Sequence, residues 1–277
     1  MKNLLGVAIA GLALSTATQV SAAEIQVTIT NLTQGMYFTP RLLVAHTEDA
    51  AKLFEVGQPA SAPLQRLAEG GSIGDEENSD GDDNDFASFL ETEEQRDLNT
   101  WEAFGGLVEP ASTSSVYEFE TEDFPLLSMA AMLVPTNDAF VALDSYPIPT
   151  EPGTYTVYLN AYDSGTEAND EINSAQTTLT LASGSFGPAP GSPGMATPPD
   201  TQANLNAGAL GVTGSVDGDV YTPAAGEGAV HIHRNALGDT NTDGGISDLN
   251  PTVHRWLNPV AKVTITVPAA IETAAAE

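Results

Sequence analysis

Residues 24–31 read Glu-Ile-Gln-Val-Thr-Ile-Thr-Asn, with an apolar side chain at every second position. A period of two puts Ile25, Val27 and Ile29 on one face and Gln26, Thr28 and Thr30 on the other, as in a strand with one side buried. The same alternation recurs at residues 154–160, through Tyr155, Val157 and Leu159, and near the C-terminus at Val263, Ile265 and Val267. Further strands are expected at residues 41–46, 114–119, 129–135, 176–182 and 229–234. Helical periodicity is scarce. Pro63, Leu64, Leu67 and Ala68 predict about two turns ending at Gly70-Gly71, and residues 85–96 predict about three turns with Phe86, Phe89 and Leu90 on one side. Short strands between Gly, Pro, Asn and Asp turns define an all-β chain, an antiparallel β-sandwich with long loops and one or two short helices.

Charge narrows the function. The chain has 277 residues, with 8 Lys and Arg against 38 Asp and Glu, a formal charge of −30. Nucleic-acid binding needs a basic surface to replace the counterions around phosphate, and so few cations cannot supply one. Zero Cys excludes disulfides, thiolate metal sites and cysteine nucleophiles. No His-Glu-x-x-His pair or phosphate-binding glycine loop occurs, so the expectation is a protein that is not an enzyme.

Residues 1–22 carry the pattern of a signal peptide: Lys2 in a short positive start, an apolar run at residues 4–17, and Val20-Ser21-Ala22 before the cleavage point. The run is shorter than the ~20 residues that span a bilayer, and no later stretch is apolar enough to cross. The mature chain is therefore expected to be secreted or periplasmic, with no transmembrane segment after signal removal. Residues 23–268 read as one domain and residues 269–277 as a flexible tail. Two insertions interrupt the domain: an acidic one at residues 69–100 and a Pro/Gly-rich one at residues 183–204. The strand candidates after residue 204 are too few for a second sandwich.

Five separated blocks carry a family likeness. They are Val27-Thr-Ile-Thr-Asn-Leu-Thr-Gln-Gly-Met-Tyr-Phe-Thr-Pro-Arg-Leu-Leu-Val-Ala-His46; Leu53-Phe-Glu-Val-Gly-Gln-Pro-Ala-Ser61 with Leu67-Ala-Glu-Gly70; Met132-Leu-Val-Pro-Thr-Asn-Asp-Ala-Phe-Val141; Ala161-Tyr-Asp-Ser-Gly-Thr-Glu167; and Asn258-Pro-Val-Ala-Lys-Val-Thr-Ile265. In these blocks the chain resembles the bacterial branch of the spondin N-terminal domain family. The resemblance implies a sandwich of about eight strands, akin to calcium-dependent lipid-binding domains, with a calcium site in loops at one end. It also implies a non-enzymatic binding or adhesion role toward an extracellular or envelope protein or glycan. Residues 75–85, the Pro/Gly insertion and residues 239–243 depart from the family and carry no such inference.

Calcium takes six to eight oxygens, so a site needs carboxylates from loops that converge. Asp138 directly follows the apolar run that starts at Met132, and Asp163 and Glu167 follow the strand at residues 154–160. Loops at the same pole of a sandwich would gather them, with Asp144 and Asp170 as further ligands of this main site. In position these acids match those of the calcium loops that the resemblance implies. Asp138 and Asp163 are equally suited to capping turns. A second calcium loop is offered by Asp239, Asn241 and Asp243 at positions 1, 3 and 5, with Gly244 at 6 and Ile246 at 8. Position 12 is Asn250 rather than a bidentate acid, and a plain hairpin turn reads as well. Asp80, Asp82, Asn84 and Glu91 share the spacing but have Asp85 where the turn needs glycine, so a solvated acidic loop is expected there.

His231-Ile232-His233 on a strand places both imidazoles on one face. Such a pair either hydrogen-bonds to nearby carboxylates or binds a transition metal. The expectation is thus a secreted, calcium-binding, non-enzymatic module. The alternative is a periplasmic transition-metal-binding protein or metalloenzyme built on His231 and His233, and a purely structural envelope component is a third reading.

Overall fold

The computed structural model describes residues 24–74, 85–166, 169, 171, 179–181, 184–186, 228–238, 240, 249 and 251–269. Its strands are β1 (Glu24–Asn31), β2 (Tyr37–Phe38), β3 (Arg41–His46), β4 (Asn99–Phe104), β5 (Tyr117–Glu120), β6 (Leu126–Val134) and β7 (Ala139–Pro147). They continue with β8 (Gly153–Leu159), β9 (Ala161–Asp163), β10 (Leu179–Leu181), β11 (Gly184–Phe186), β12 (His231–Ile232) and β13 (Ala261–Val267). Among the described residues there are two short helices, α1 (Ala62–Gly70) and α2 (Phe86–Leu90). The fold is an all-β antiparallel sandwich.

A four-stranded sheet runs in the order β5-β1-β13-β8, and a larger one in the order β12-β9-β7-β6-β3-β4 with β2 beside β6. The first strand and the last are central neighbours, in register from Gln26 opposite Thr266 to Asn31 opposite Ala261. Ile25, Val27 and Ile29 meet Val263, Ile265 and Val267 in the core, where Leu43, Leu127, Met129 and Val141 of the large sheet close over them. Their polar alternates face outward.

The large sheet is buried on both faces. Leu42, Val44, Ala130, Phe140 and Ala142 point away from the small sheet into a second core with Leu64, Leu67, Phe86 and Leu90 of the helices and with Phe54. Sequential side chains of β3 and β6 are therefore buried without alternation, as in sheets covered on two sides. Helix α1 starts where Ser61 Oγ accepts from the Leu64 amide and stops at Gly71, whose φ of 67° lets its amide close the last turn.

Several expected elements have different limits. The helix expected at residues 85–96 is one turn and a half, because Asn99 Nδ2 donates to the Leu90 and Gln95 carbonyls and Thr92 Oγ1 to the Phe89 carbonyl, taking the acceptors that a longer helix would use. The strand expected at residues 114–119 is shifted to Tyr117–Glu120. That at residues 229–234 shrinks to His231–Ile232, because the Asn235 amide turns back onto His233 Nδ1 with Asn235 at φ 72°. Strands β2, β4, β7, β9 and β11 are not among those expected, and β11 lies within the Pro/Gly-rich insertion that reads as loop. Of the strand expected at residues 176–182, residues 179–181 are described and are extended.

Candidate functional site

The loops after β6 and β9 meet at one pole of the large sheet. Pairing of β7 with β9 sets Ala139 opposite Asp163, and pairing of β9 with β12 sets His231 opposite Asp163. Asp138, one residue before β7, therefore lies against Ser164, whose amide donates to the Asp138 carbonyl at 3.2 Å. Both aspartates are fully buried.

Each carboxylate is gripped by its neighbouring loop. Asp138 Oδ2 accepts from Ser164 Oγ at 2.9 Å, the Thr166 amide at 2.8 Å and Thr166 Oγ1 at 3.3 Å. Asp163 Oδ1 accepts from the Gly165 amide at 2.8 Å, and its Oδ2 from Asn169 Nδ2 at 2.6 Å. Gly165 has φ 74°, and a Cβ there would lie 2.6 Å from the Ala229 backbone. Only glycine allows β9 to turn so close to the segment leading into β12.

Glu171 is a third buried acid of the cluster. Its amide donates to Asn137 Oδ1 at 3.2 Å, and its carboxylate accepts from the Leu237 amide and, at 2.7 Å, the Gly238 amide. One glutamate thus ties the β6–β7 loop to the segment after β12. A cavity of about 10 Å³, the size that holds a single water, lies between Thr136, Asn137, Glu171, His233 and Trp256.

The two histidines face the same oxygen. His231 Nε2 is 3.6 Å and His233 Nε2 3.8 Å from Asp163 Oδ2. Their tautomers differ, because the partner of each Nδ1 has one role only. The Ala229 carbonyl can only accept, so His231 Nδ1 donates at 3.0 Å, and a neutral ring turns its Nε2 lone pair toward Asp163. The Asn235 amide can only donate, at 2.9 Å, so His233 Nδ1 accepts and its Nε2 carries the proton. Deeper in, the fully buried His254 has its pKa lowered to about 4 by desolvation, against the opposing pull of Glu171. His46 is separate: its Nδ1 donates to the Thr47 carbonyl and its Nε2 accepts from Ser128 Oγ.

Of the expected ligands, the structure brings Asp138 and Asp163 together and adds His231 and His233 to Asp163. It does not bring in Asp144, which lies within β7, six residues beyond Asp138 and so about 20 Å along the strand. Asp144 instead pairs with Lys52 at 3.5 Å on the surface. Glu167, Asp170, Asp239, Asn241 and Asp243 lie outside the described residues, as do Asp80, Asp82 and Asn84. Asn137, Ser164, Thr166, Asn169 and Glu171 shape the pole although spacing did not single them out as ligands. No signal short of the strand register separates Glu171 from the other acids of so acidic a chain.

The donor chemistry is that of a hard-cation site, with three buried carboxylates and side-chain oxygens of Asn and Thr. Among the described residues, however, no group of three or more His, Asp or Glu is arranged to hold a metal ion. The described residues thus fit calcium in kind, and a complete coordination shell would need further oxygens. No helix among the described residues is long and apolar enough to cross a membrane. No protein-family model matches the chain, and no curated protein matches it.

Proposed function

We propose that the protein is a secreted, calcium-binding, non-enzymatic module of spondin-like type that docks an extracellular or envelope protein or glycan. The observation that carries this reading is the convergence of Asp138 and Asp163, from two separate loops, at one buried pole of a β-sandwich, beside Asn137, which accepts from the amide of the buried Glu171. Buried carboxylates are costly unless they are bonded or neutralised, and a divalent cation supported by the flanking loops would neutralise several at once. The signal-like residues 1–22 support export, and the five sequence blocks support the spondin-like assignment.

The test is thermal. Calcium that binds only the folded state adds about 2.7 kcal/mol at a hundredfold excess over Kd, which for a chain of this size raises the melting temperature by roughly 5–10 °C. Magnesium should raise it far less. Superimposable melting curves in calcium and in chelator would remove the reading.

A second reading, a transition-metal-binding protein, is favoured by one specific observation: both imidazole Nε2 atoms approach the same oxygen of Asp163. His231 Nε2 with Asp163 would supply a nitrogen and an oxygen to zinc or copper, and His233 would join them once the Asn235 amide releases its Nδ1 and the Nε2 proton is lost. Metal analysis of protein purified without chelator decides between the two. One equivalent of zinc or copper, lost in the His231→Gln, His233→Gln double variant, establishes this reading.

A further inference from the structure

The sheet edges are not alike. The β5 edge carries Glu118 and Glu120 beside Glu24, and charge on an edge opposes pairing with another chain. The large sheet ends at one side in β12, two residues long, and at the other in β4, which bears Glu102 and has Trp101 tied to Glu91. Strand β8 has none of these devices. It runs Gly-Thr-Tyr-Thr-Val-Tyr-Leu without a charge or a proline, in unbroken register with β13 from Gly153 to Leu159. Among the described residues no strand pairs with its other edge.

The strand is also close to its own complement. Antiparallel pairing of two β8 strands about a twofold axis at Thr156 sets Thr156 against Thr156, Tyr155 against Val157, and Thr154 against Tyr158. Thr–Thr and aromatic–β-branched pairs are among those that stabilise antiparallel neighbours. Tyr155 and Val157 pack against the main core yet remain only partly buried, and Tyr158 is 61% exposed on the opposite face. A second β8 would cover the first two and give the third a cross-strand neighbour. The charge of −30 repels at long range, but at about 0.15 M salt the field is screened beyond about 8 Å, and the strand itself brings no charge to the contact.

We propose that two copies of this chain associate through β8, each adding its strand antiparallel to the other so that their four-stranded sheets join into one. The contact uses main-chain hydrogen bonds for affinity and the Thr156 axis for register. It leaves the acidic pole uncommitted, so self-association and calcium binding are independent properties.

The chain has no cysteine, which permits a clean crosslinking test. Thr156→Cys places a thiol on the axis, whereas Tyr158→Cys places two thiols four residues apart in register. Under mild oxidation the first variant should form the interchain disulfide on the order of tenfold faster than the second or more, since only there does pairing raise the local thiol concentration. By analytical ultracentrifugation in about 0.15 M salt, wild type should sediment as two chains. Thr156→Lys and Thr156→Glu should both sediment as one, because each sets like charges on the axis while moving the net charge in opposite directions. Unchanged circular dichroism shows that these exposed substitutions leave the fold intact. A single-chain mass for wild type, equal crosslinking at the two positions, or a Lys variant that stays dimeric overturns the proposal.

Discussion

A Cβ on Gly105 would lie 2.1 Å from Arg41 Nη2, so the glycine leaves the space that the arginine fills. Arg41 is 1% exposed, donates through Nη1 to the Gly106 carbonyl, and holds its guanidinium 4.5 Å from the centre of the Phe104 ring. Burial lowers its pKa to about 10, and among the described residues no carboxylate forms an ion pair with it. Gly105 also has φ 68°, a conformation that strains other residues. Gly105→Ala should therefore cost about 1–3 kcal/mol by urea denaturation, from backbone strain together with displacement of the guanidinium. In an Arg41→Met background the steric part should vanish, so a double-mutant cycle should show coupling of at least about 0.5 kcal/mol. Strict additivity would mean that the two residues do not share this space.

Asp138 and Asp144 separate a buried from a surface role on the same chain segment. Asp138→Ala removes the carboxylate that the Ser164 hydroxyl and the Thr166 amide share, leaving Ser164 Oγ its contact with Thr166 Oγ1. It should cost about 1–3 kcal/mol even in chelator, and combined with Asp163→Ala it should abolish any calcium-dependent rise in melting temperature. Asp144→Ala removes an exposed pair with Lys52 and an exposed hydrogen bond from Ser145 Oγ. It should change stability by less than about 1 kcal/mol and leave the calcium response intact. A calcium response that depends on Asp144 would place the site along β7 rather than at the pole.

Gly165 differs from Gly105 in what it meets. The atoms facing its absent side chain belong to the Ala229 backbone rather than to a movable arginine. Gly165→Ala should thus be the more damaging substitution, by about 3 kcal/mol or more including strain. It should also loosen β12 specifically. Amide exchange at Ile232 and His233 should speed up far more than exchange within β1 or β13.

His254 gives the pole a pH response with a definite sign. Its ring titrates near 6.5 when unperturbed and at about 4 in the fold. Between these values the unfolded chain binds a proton that the folded ring refuses, so stability falls as pH falls. The loss amounts to about 3 kcal/mol once both forms are protonated. His254→Gln should remove this share, so the difference between wild-type and variant stability should be flat above pH 6.5 and slope between pH 6.5 and 4. A flat difference across the whole range would mean that the folded ring titrates normally.

The parts of the fold legible in the sequence are strands with one wet face, a capped helix and the apolar runs of β3 and β6. Strand β1 alternates because solvent lies on its other side, and α1 is marked by Ser61, Pro63 and Gly71. Strand β7 gives a weaker signal. Its apolar half, Ala139-Phe-Val-Ala-Leu143, is buried on both faces and has no period to read, and its other half begins with Asp144-Ser145, residue types that favour turns. The meeting of Asp138 with Asp163 was legible from strand ends alone, since loops that follow strands running in the same direction share a pole, and β6 and β9 both run antiparallel to β7. Asp144 misled because it is near Asp138 in sequence, whereas an extended strand carries a residue away by about 3.3 Å per step. The opposite tautomers of His231 and His233 depend on which backbone group each Nδ1 meets, and no residue spacing encodes that.

The pairing of β1 with β13 makes the small sheet depend on residues far apart in the sequence. β13 sits between β1 and β8, so the small sheet has no centre until residues 261–267 have been made. Neither face of the main core can close before then, and contacts this distant in sequence form slowly. While the chain is being synthesised, β1 and β8 therefore wait without the strand that joins them, and the small sheet is completed only after β13 is made.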